Sequence, residues 1–167
     1  FEGYGIELEL MIVDRTSLKV RPLTDFVLQK AAGRIVNEVS VGALAWSNEL
    51  VLHVLELKTD GPAPTLKGLH LAFLEDVKKI NGVLAEKDAM LMPTAMHPLM
   101  DPLKDTKLWS HDDAKVYETY DRIFGCKGHG WSNLQSIHIN LPFHDDEEFG
   151  RLHAAIRLVL PLLPGLA

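Results

Sequence analysis

The chain has 167 residues and 47% hydrophobic content, which is enough apolar material for one sizeable core and predicts a single domain over residues 1–167. Its formal net charge is −6 and no block of basic residues occurs, so a nucleic-acid partner is not expected. No apolar run reaches the roughly 18 residues that a membrane-spanning helix needs, so no membrane partner is expected either. The single cysteine, Cys126, cannot form an internal disulfide, which is typical of a cytoplasmic protein.

The first predicted strand, residues 5–14, carries two carboxylates in an otherwise apolar run. Because side chains alternate across a strand, Glu7 and Glu9 share one face, and the other face holds Ile6, Leu8, Leu10 and Ile12. Adjacent carboxylates repel each other unless a cation lies between them, and hard divalent ions prefer carboxylate oxygens. The strand therefore indicates a metal site or, as the ordinary alternative, a half-solvated antiparallel strand.

The chain then alternates short strands with helices. A helix is predicted from Thr24 to a C-terminal Gly33, and a hairpin-like block follows from Ile35. Residues 49–59 are strand-like and end at a turn that contains two prolines. A helix capped by Thr65 follows, and its spacing predicts one apolar stripe formed by Leu66, Leu69, Phe73, Val77, Ile80 and Leu84.

Glu56 lies among apolar residues of this strand-like segment, so its carboxylate must be paired, hydrogen-bonded or bound to a metal. Lys58 lies two residues further on the same face, and an ion pair with it is the leading alternative to a metal. Glu49 is seven residues before Glu56, and an unbroken strand sends the two to opposite faces. Both reach one site only if the backbone bulges between them or if Glu49 precedes the strand.

A second polar strand face is predicted in residues 134–143. The apolar side chains of this segment share one face, and the other face carries Ser136, His138 and Asn140. A histidine on such a face is either solvated or available as a ligand. The polar face therefore gathers ligand-type groups for the second time in the chain.

Three further elements complete the prediction. Residues 89–95 form a strand, and a helix starts at Asp112 or Asp113. A final helix, capped by Asp145 or Asp146, is expected to pack inward through Phe149, Leu152, Ile156 and Leu160.

Taken together, the motifs resemble the glutamate–cysteine ligases, and especially their bacterial carboxylate–amine ligase branch. The resemblance rests on Gly5-Ile6-Glu7-Leu8-Glu9, on Glu49 with Glu56 and Thr59, and on Ser136-Ile137-His138-Ile139-Asn140. It runs along nearly all of this chain but covers only the first half of the family's length. The family's later acidic metal ligand and phosphate-binding arginine belong to the second half. The resemblance therefore implies the N-terminal part of a longer catalytic domain, inactive as a ligase on its own.

This resemblance implies an α+β fold similar to glutamine synthetase, in which a curved antiparallel sheet forms a half-barrel funnel backed by helices. It implies ATP and Mg²⁺ as cofactors, and it matches the metal ligands to Glu7, Glu9, Glu49, Glu56 and His138. It also implies that the glutamate or the nucleotide phosphates lie near Asn140, Gln135 and Thr59. The implied reaction phosphorylates the γ-carboxylate of glutamate, and an amine, with cysteine as the leading acceptor, then displaces the phosphate, as in glutathione-type biosynthesis.

Two other functions remain open for the same residues. A metal-dependent hydrolase would use the acidic cluster to activate water and would need no amine. A non-catalytic module would fold but lack the groups that complete a site. Neither the amine acceptor nor a homo-oligomeric state can be read from the sequence. Whichever function applies, strand parity predicts that Glu7, Glu9, Glu56 and His138 lie together on one face of one sheet.

Overall fold

The computed structural model describes residues 3–128 and 130–166, and within them the chain folds into six strands and five α-helices. The strands are β1 (Gly5–Asp14), β2 (Glu38–Val41), β3 (Leu44–Asn48), β4 (Val54–Thr59), β5 (Ala89–Met92) and β6 (Ile137–Asn140). The helices are α1 (Thr24–Ala32), α2 (Leu69–Leu84), α3 (Pro102–Asp105), α4 (Ala114–Phe124) and α5 (Asp146–Val159), with 3-10 turns at Ala85–Lys87 and Leu160–Gly165. The predicted α+β class with an antiparallel sheet is confirmed.

The sheet is open, with the strand order β2-β3-β4-β1-β5 and with β6 also paired to β1. β4 runs antiparallel along one edge of β1, the longest strand. The other edge of β1 is shared, because β6 pairs with residues 5–8 and β5 with residues 11–14. The two halves of β1 therefore have different neighbours along that edge.

Gln135 fills the gap between β5 and β6 on the shared edge. Its side-chain oxygen accepts a hydrogen bond from the main-chain N–H of Met11. Its side-chain nitrogen donates to the carbonyl of Met92 at 2.9 Å and also to the carbonyl of Thr94. Gln135 is buried, and its amide thus provides hydrogen bonds to buried main-chain groups of β1 and β5 in the gap between β5 and β6.

The main core lies between one face of the sheet and the helices α1 and α2. Ile12, Leu55 and Leu57 on neighbouring strands are fully buried there, and α2 adds Ile80 and Leu84. The predicted stripe of α2 thus packs through its buried residues, because spacings of three and four bring them to one side of the helix. Leu66, its predicted first member, lies before the helix and is exposed. The other face of the sheet carries a second, smaller apolar cluster around Met11 and Val13, and polar groups of the alternating strands lie beside it.

Two predicted boundaries are wrong. Residues 49–59 are not one strand, because β3 ends at Asn48, β4 begins at Val54, and the chain reverses between them to pair the two strands antiparallel. The helix predicted from Thr65 begins at Leu69, after Gly68 in the left-handed conformation. The helix start at Thr24 is correct, but its hydroxyl does not cap the helix and instead donates to the carbonyl of Val54 at 2.9 Å.

The last helix also differs from its prediction. Asp145 caps α5 as expected, with its carboxylate accepting from the N–H of Glu148 at 2.8 Å. The apolar stripe exists but does not pack inward, since no residue of α5 is buried, and Phe149 and Ile156 are 47% and 39% exposed. Helical spacing identifies which side chains share a side of a helix, and it does not tell whether another segment covers them.

No helix in the described part of the chain combines the length and the apolar character that a membrane crossing requires.

Candidate functional site

Polar and charged side chains form two rows across the sheet, on the face opposite the main core. One row joins register partners from β2 to β1 and contains Glu38, Ser47, Glu56 and Glu9. The adjacent row runs from β3 to β6 and contains Ala45, Lys58, Glu7 and His138. Because side chains of register partners point the same way at close range, the rows gather these charges into one cluster.

The prediction that Glu7, Glu9, Glu56 and His138 share one face of one sheet is confirmed. Ligand atoms of Glu7, Glu56 and His138 all lie within 4.8 Å of one another. The same holds for ligand atoms of Glu9, Glu49 and Glu56. Glu56 belongs to both groups, so the two candidate cation positions are neighbours. We call these five residues the acidic cluster.

Glu49 joins the cluster because it precedes β4, which is one of the two ways in which the sequence allowed it to join. It lies in the segment that links β3 to β4, and its carboxylate accepts from the N–H of Leu50 at 3.3 Å. Burial, together with the nearby carboxylates of Glu56 and Glu9, raises the pKa of Glu49 to about 7. Three carboxylates held this close favour a proton or a cation among them.

Glu7 is held by two partners on β6. Its Oε2 lies 2.6 Å from Nδ1 of His138, and its Oε1 accepts from Nδ2 of Asn140 at 2.8 Å. Burial alone would raise the pKa of Glu7, but the hydrogen bonds from His138 and Asn140 outweigh it and lower that pKa. The hydrogen bond to Glu7 in turn raises the pKa of His138, and Nε2 of its ring lies 3.9 Å from Oε1 of Glu9.

Gly5 makes room for the contact between Asn140 and Glu7. It lies opposite Asn140 in the register of β1 and β6. A Cβ at this position would lie 3.0 Å from Cβ and 3.2 Å from Nδ2 of Asn140. The glycine at the start of the first motif therefore permits a close approach between two strands.

The remaining two carboxylates are held from the backbone and from β3. Oε2 of Glu9 accepts from the N–H of Ser136 at 2.8 Å. Oε1 of Glu56 accepts from the hydroxyl of Ser47 at 2.9 Å, and Glu56 is only 6% exposed. Both carboxylates are thus oriented by neighbours, as preorganised ligands are.

Lys58 provides the ion pair that was the alternative explanation for Glu56. Its Nζ lies 3.2 Å from Oε1 of Glu56 and 2.7 Å from Oε2 of Glu38 on β2. Burial alone would lower the pKa of Lys58, but its contacts with Glu38 and Glu56 raise it. The ion pair therefore exists, and it coexists with the wider cluster because the same ammonium does not neutralise the three further carboxylates of Glu7, Glu9 and Glu49.

Besides a mainly apolar cavity of about 720 Å³ that Glu9 and Gln135 help to line, the acidic cluster opens onto two cavities. The first has a volume of about 330 Å³, and its walls include Glu7, Lys58, Thr59 and Asn140. The second has a volume of about 290 Å³, and its walls include Glu9, Glu49, Tyr117, Tyr120 and Trp131. A molecule in either cavity would contact carboxylates of the cluster directly.

The three residues expected near phosphates have different surroundings. Asn140 contacts Glu7 and lines the first cavity. Thr59 lines the same cavity, and its hydroxyl accepts from the N–H of Ile6 at 3.3 Å. The amide of Gln135 is bonded to the main chain of β1 and β5, away from both of these cavities. Phosphate or nucleotide binding by Asn140, Gln135 and Thr59 stays a prediction.

Sequence reasoning missed Glu38 and Ser47. Both face the cluster only because β2, β3 and β4 pair in one register, which puts Glu38 opposite Ser47 and Ser47 opposite Glu56. The alternation of Glu38 with Ser40 on a short strand was the available signal, but the sequence does not fix which strand lies beside it.

The donor set fits a hard divalent cation. Mg²⁺ binds oxygen at about 2.1 Å, so two ligands on opposite sides of the ion lie about 4.2 Å apart. The separations of up to 4.8 Å within each group therefore close with small side-chain movements. Four carboxylates and one imidazole suit Mg²⁺ or Mn²⁺ rather than a thiolate-seeking metal.

Comparison with known proteins identifies the family of the chain. The profile of glutamate-cysteine ligase family 2 matches residues 4–167. An uncharacterized protein from Archaeoglobus fulgidus is 38% identical over 163 residues, which are 98% of this chain and 44% of the relative. The chain thus spans less than half the length of that relative. The range that the family profile matches contains the positions of all five residues of the acidic cluster. By this match over almost its whole length, the chain belongs to glutamate-cysteine ligase family 2.

Proposed function

We propose that the protein is an ATP-dependent ligase that joins the γ-carboxylate of glutamate to an amine, with ATP and Mg²⁺ as cofactors and cysteine as the first acceptor to test. The acidic cluster is the observation that carries the proposal, and the family supports the reaction class. In balance, ATP, a carboxylate and an amine give an amide, ADP and phosphate. The carboxylate is first activated as a γ-glutamyl phosphate, and the amine nitrogen then displaces the phosphate and loses its proton.

The four carboxylates of the cluster would hold the metal. When bound, Mg²⁺ neutralises and orients the phosphate oxygens of ATP. Glu56 is shared by the two groups of ligand atoms, so it would lie between two ions, with Glu7 on one side and Glu9 and Glu49 on the other. Residues that are committed to holding cations are poor general bases, so we assign the carboxylates to metal binding and charge neutralisation.

His138 would be oriented for the same site by Glu7. Nδ1 of its ring contacts Glu7 at 2.6 Å, which leaves Nε2 directed to the side of Glu9. A carboxylate that fixes one ring nitrogen sets the tautomer and the ring orientation that the other nitrogen presents. His138 would thus act as a metal ligand or as a hydrogen-bond donor to a phosphate oxygen.

The first cavity supports a place for an anionic reactant. Lys58 supplies an ammonium, Thr59 a hydroxyl and Asn140 an amide to its walls. Glu7 lines the same cavity, so these groups suit a carboxylate or phosphate when a cation lies between that anion and Glu7. Glutamate and the terminal phosphates of ATP carry such groups.

The proposal is tested by following ADP release in the full-length natural protein with Mg²⁺, glutamate and cysteine. ADP release that needs both glutamate and an amine supports ligation. Release of phosphate from ATP without any amine would favour the metal-dependent hydrolase. Glu56→Gln should abolish the activity, and Glu75→Gln is the matched control, because Glu75 is an exposed carboxylate on α2 that pairs with Lys78.

A second measurement isolates the metal. Isothermal titration of the 167-residue chain with Mn²⁺ should show binding that is lost in Glu56→Gln and kept in Glu75→Gln. Equal binding by the two variants would contradict the acidic cluster as the metal site.

A further inference from the structure

The two groups of ligand atoms in the acidic cluster differ in what already contacts them. We call the group of Glu7, Glu56 and His138 the first cation position, and the group of Glu9, Glu49 and Glu56 the second. At the first position, both oxygens of Glu7 contact side chains of β6. Oε1 of Glu56 lies 3.2 Å from Nζ of Lys58. The first position therefore already borders on a positive charge of the chain itself.

The second cation position has no such charge at its two other carboxylates. Among the described residues, no lysine or arginine nitrogen lies within 4.0 Å of a carboxylate oxygen of Glu9 or Glu49. The ring of His138 approaches Glu9 only to 3.9 Å. Carboxylates that lack an ammonium partner attract a divalent ion more strongly than carboxylates that have one. We therefore expect the second position to fill first.

The ammonium of Lys58 has a second partner outside both positions. Its Nζ lies 2.7 Å from Oε2 of Glu38, which belongs to neither group of ligand atoms. The side chain of Lys58 is partly exposed and lines the first cavity with Thr59 and Asn140. A lysine has a flexible stem and three donors, so it can serve two acceptors at once. Lys58 can thus leave Glu56, stay paired with Glu38 and donate to an anion in the cavity.

An anion in the first cavity changes the charge balance at Glu56. Lys58 and Glu7 both line this cavity, so an anionic oxygen there is attracted by the ammonium and repelled by the carboxylate. A divalent ion between the anion and Glu7 removes this repulsion. The movement of the ammonium to the anion also exposes Oε1 of Glu56 to the ion. Binding of the anion and binding of the cation at the first position therefore favour each other, and such coupling is reciprocal.

We propose that Lys58 makes the first cation position conditional, so that it fills with a divalent ion only together with a phosphate or carboxylate group in the first cavity. The second cation position fills without such an anion. The inference rests on the proposed function. It gives Lys58 the role of a positioning residue that couples full metal loading to the arrival of the anionic reactant.

The test measures Mn²⁺ binding to the chain by isothermal titration and electron paramagnetic resonance, alone and with inorganic phosphate or glutamate. Two Mn²⁺ ions at a shared two-metal site, about 3.5–4 Å apart, are magnetically coupled, and their spectrum differs from that of a single ion. We expect an uncoupled ion in the chain alone and a coupled pair when an anion is added. A response to either anion supports the proposal and identifies the group that the cavity receives.

Variants of Lys58 separate its role from general electrostatics. Lys58→Met should bind the coupled pair without an anion, with an affinity for the later ion at least about tenfold above that of the anion-free wild type. Lys58→Arg keeps the charge and should restore the dependence on the anion. Lys78→Met is the matched control, because Lys78 is an exposed lysine of α2 that pairs with Glu75, and it should behave as the wild type. Circular dichroism checks that each variant folds.

The outcomes keep this inference apart from the proposed function. A coupled pair in the wild type without an anion would overturn the inference and leave the metal site standing. The same follows if Lys58→Met needs the anion as much as the wild type does, or if it raises the affinities for the two ions equally. Failure of both the wild type and Lys58→Met to bind Mn²⁺ would instead overturn the metal site of the proposed function, and the inference with it.

Discussion

The two halves of β1 are parts of one strand, but their surroundings differ. Residues 10–13 are buried on both faces, since Leu10 and Ile12 belong to the main core and Met11 and Val13 pack into a second cluster with Val51 and Val54. Residues 5–9 are only partly buried and carry the two carboxylates on their open face. One half is thus fixed between two cores and holds the other half rigidly in place. This arrangement positions charged groups on a stiff element without burying them completely.

Replacing Glu7 by Gln, in the partly buried half of β1, should have the largest effect on activity and only a small effect on stability. In the full-length protein, the proposed ligase activity should fall about a thousandfold, because a catalytic metal would contribute several kcal/mol and each 1.4 kcal/mol is a factor of ten. The free energy of unfolding should fall by only about 1 kcal/mol, since the lowered pKa of Glu7 means that His138 and Asn140 stabilise its charge and this stabilisation is lost. Steady-state ADP release and urea unfolding give the two numbers. Loss of folding in this variant would instead assign Glu7 a structural role.

Replacing Ile12 by Ala should have the opposite effect. Ile12 is fully buried, and truncation leaves a cavity, so we expect the free energy of unfolding to drop by about 3 kcal/mol. Under conditions where the variant is still folded, its affinity for Mn²⁺ should stay within about twofold of the wild type. Urea denaturation and isothermal titration measure both. A large loss of affinity at unchanged fold would show that the two halves of β1 are not separable.

The pH dependence of stability in Glu49→Gln tests how strongly the carboxylates beside the partly buried half of β1 interact. The pKa of Glu49 is raised from 4.5 to about 7, so in this range the folded protein holds a proton that the unfolded chain has released, and stability falls as pH rises. Glu49→Gln has no ionisable group at this position, so its stability does not fall with pH for this reason. Its stability relative to the wild type should therefore grow by about 3 kcal/mol between pH 4.5 and pH 7.5 and level off above that. Urea unfolding in the presence of a chelator tests the trend, and a difference independent of pH would contradict it.

Gly5→Ala should have the smallest effect on stability and metal affinity. Gly5 is the first residue of the partly buried half of β1. The added Cβ would meet Asn140 at 3.0 Å, so the amide must move away from Glu7. We expect a destabilisation of about 1 kcal/mol and a loss of less than about tenfold in Mn²⁺ affinity. Gly82→Ala in α2 is the matched control, because its Cβ has open space and alanine favours a helix. It should leave metal affinity unchanged and raise stability.

The sequence predicts the acidic cluster well because strand parity is a local rule. Two residues of separation suffice to put Glu7 beside Glu9, and likewise His138 beside Asn140. Which strands become neighbours is not local. The pairing that brings Glu38 and Ser47 to Glu56 depends on a turn at residues 42–43 and on register along three strands.

Burial of an apolar stripe is also not local. Ile80 in α2 and Ile156 in α5 lie in equally regular stripes, yet one is fully buried and the other is 39% exposed. Gln135 shows a third limit. Its motif position favours a ligand role, but its side chain satisfies main-chain groups of two other strands, which only the assembled sheet reveals.

Lys58 gives the acidic cluster a built-in counterion. Its ammonium touches Glu56 and also Glu38, which is not among the ligand groups of the cluster. The sheet can therefore close around its carboxylates during folding, before any divalent ion arrives. At the proposed metal site, a cation bound at Glu56 would then replace the ammonium of Lys58, which could stay paired with Glu38. In the proposed ligase, the fold would then not depend on magnesium, and only the activity would.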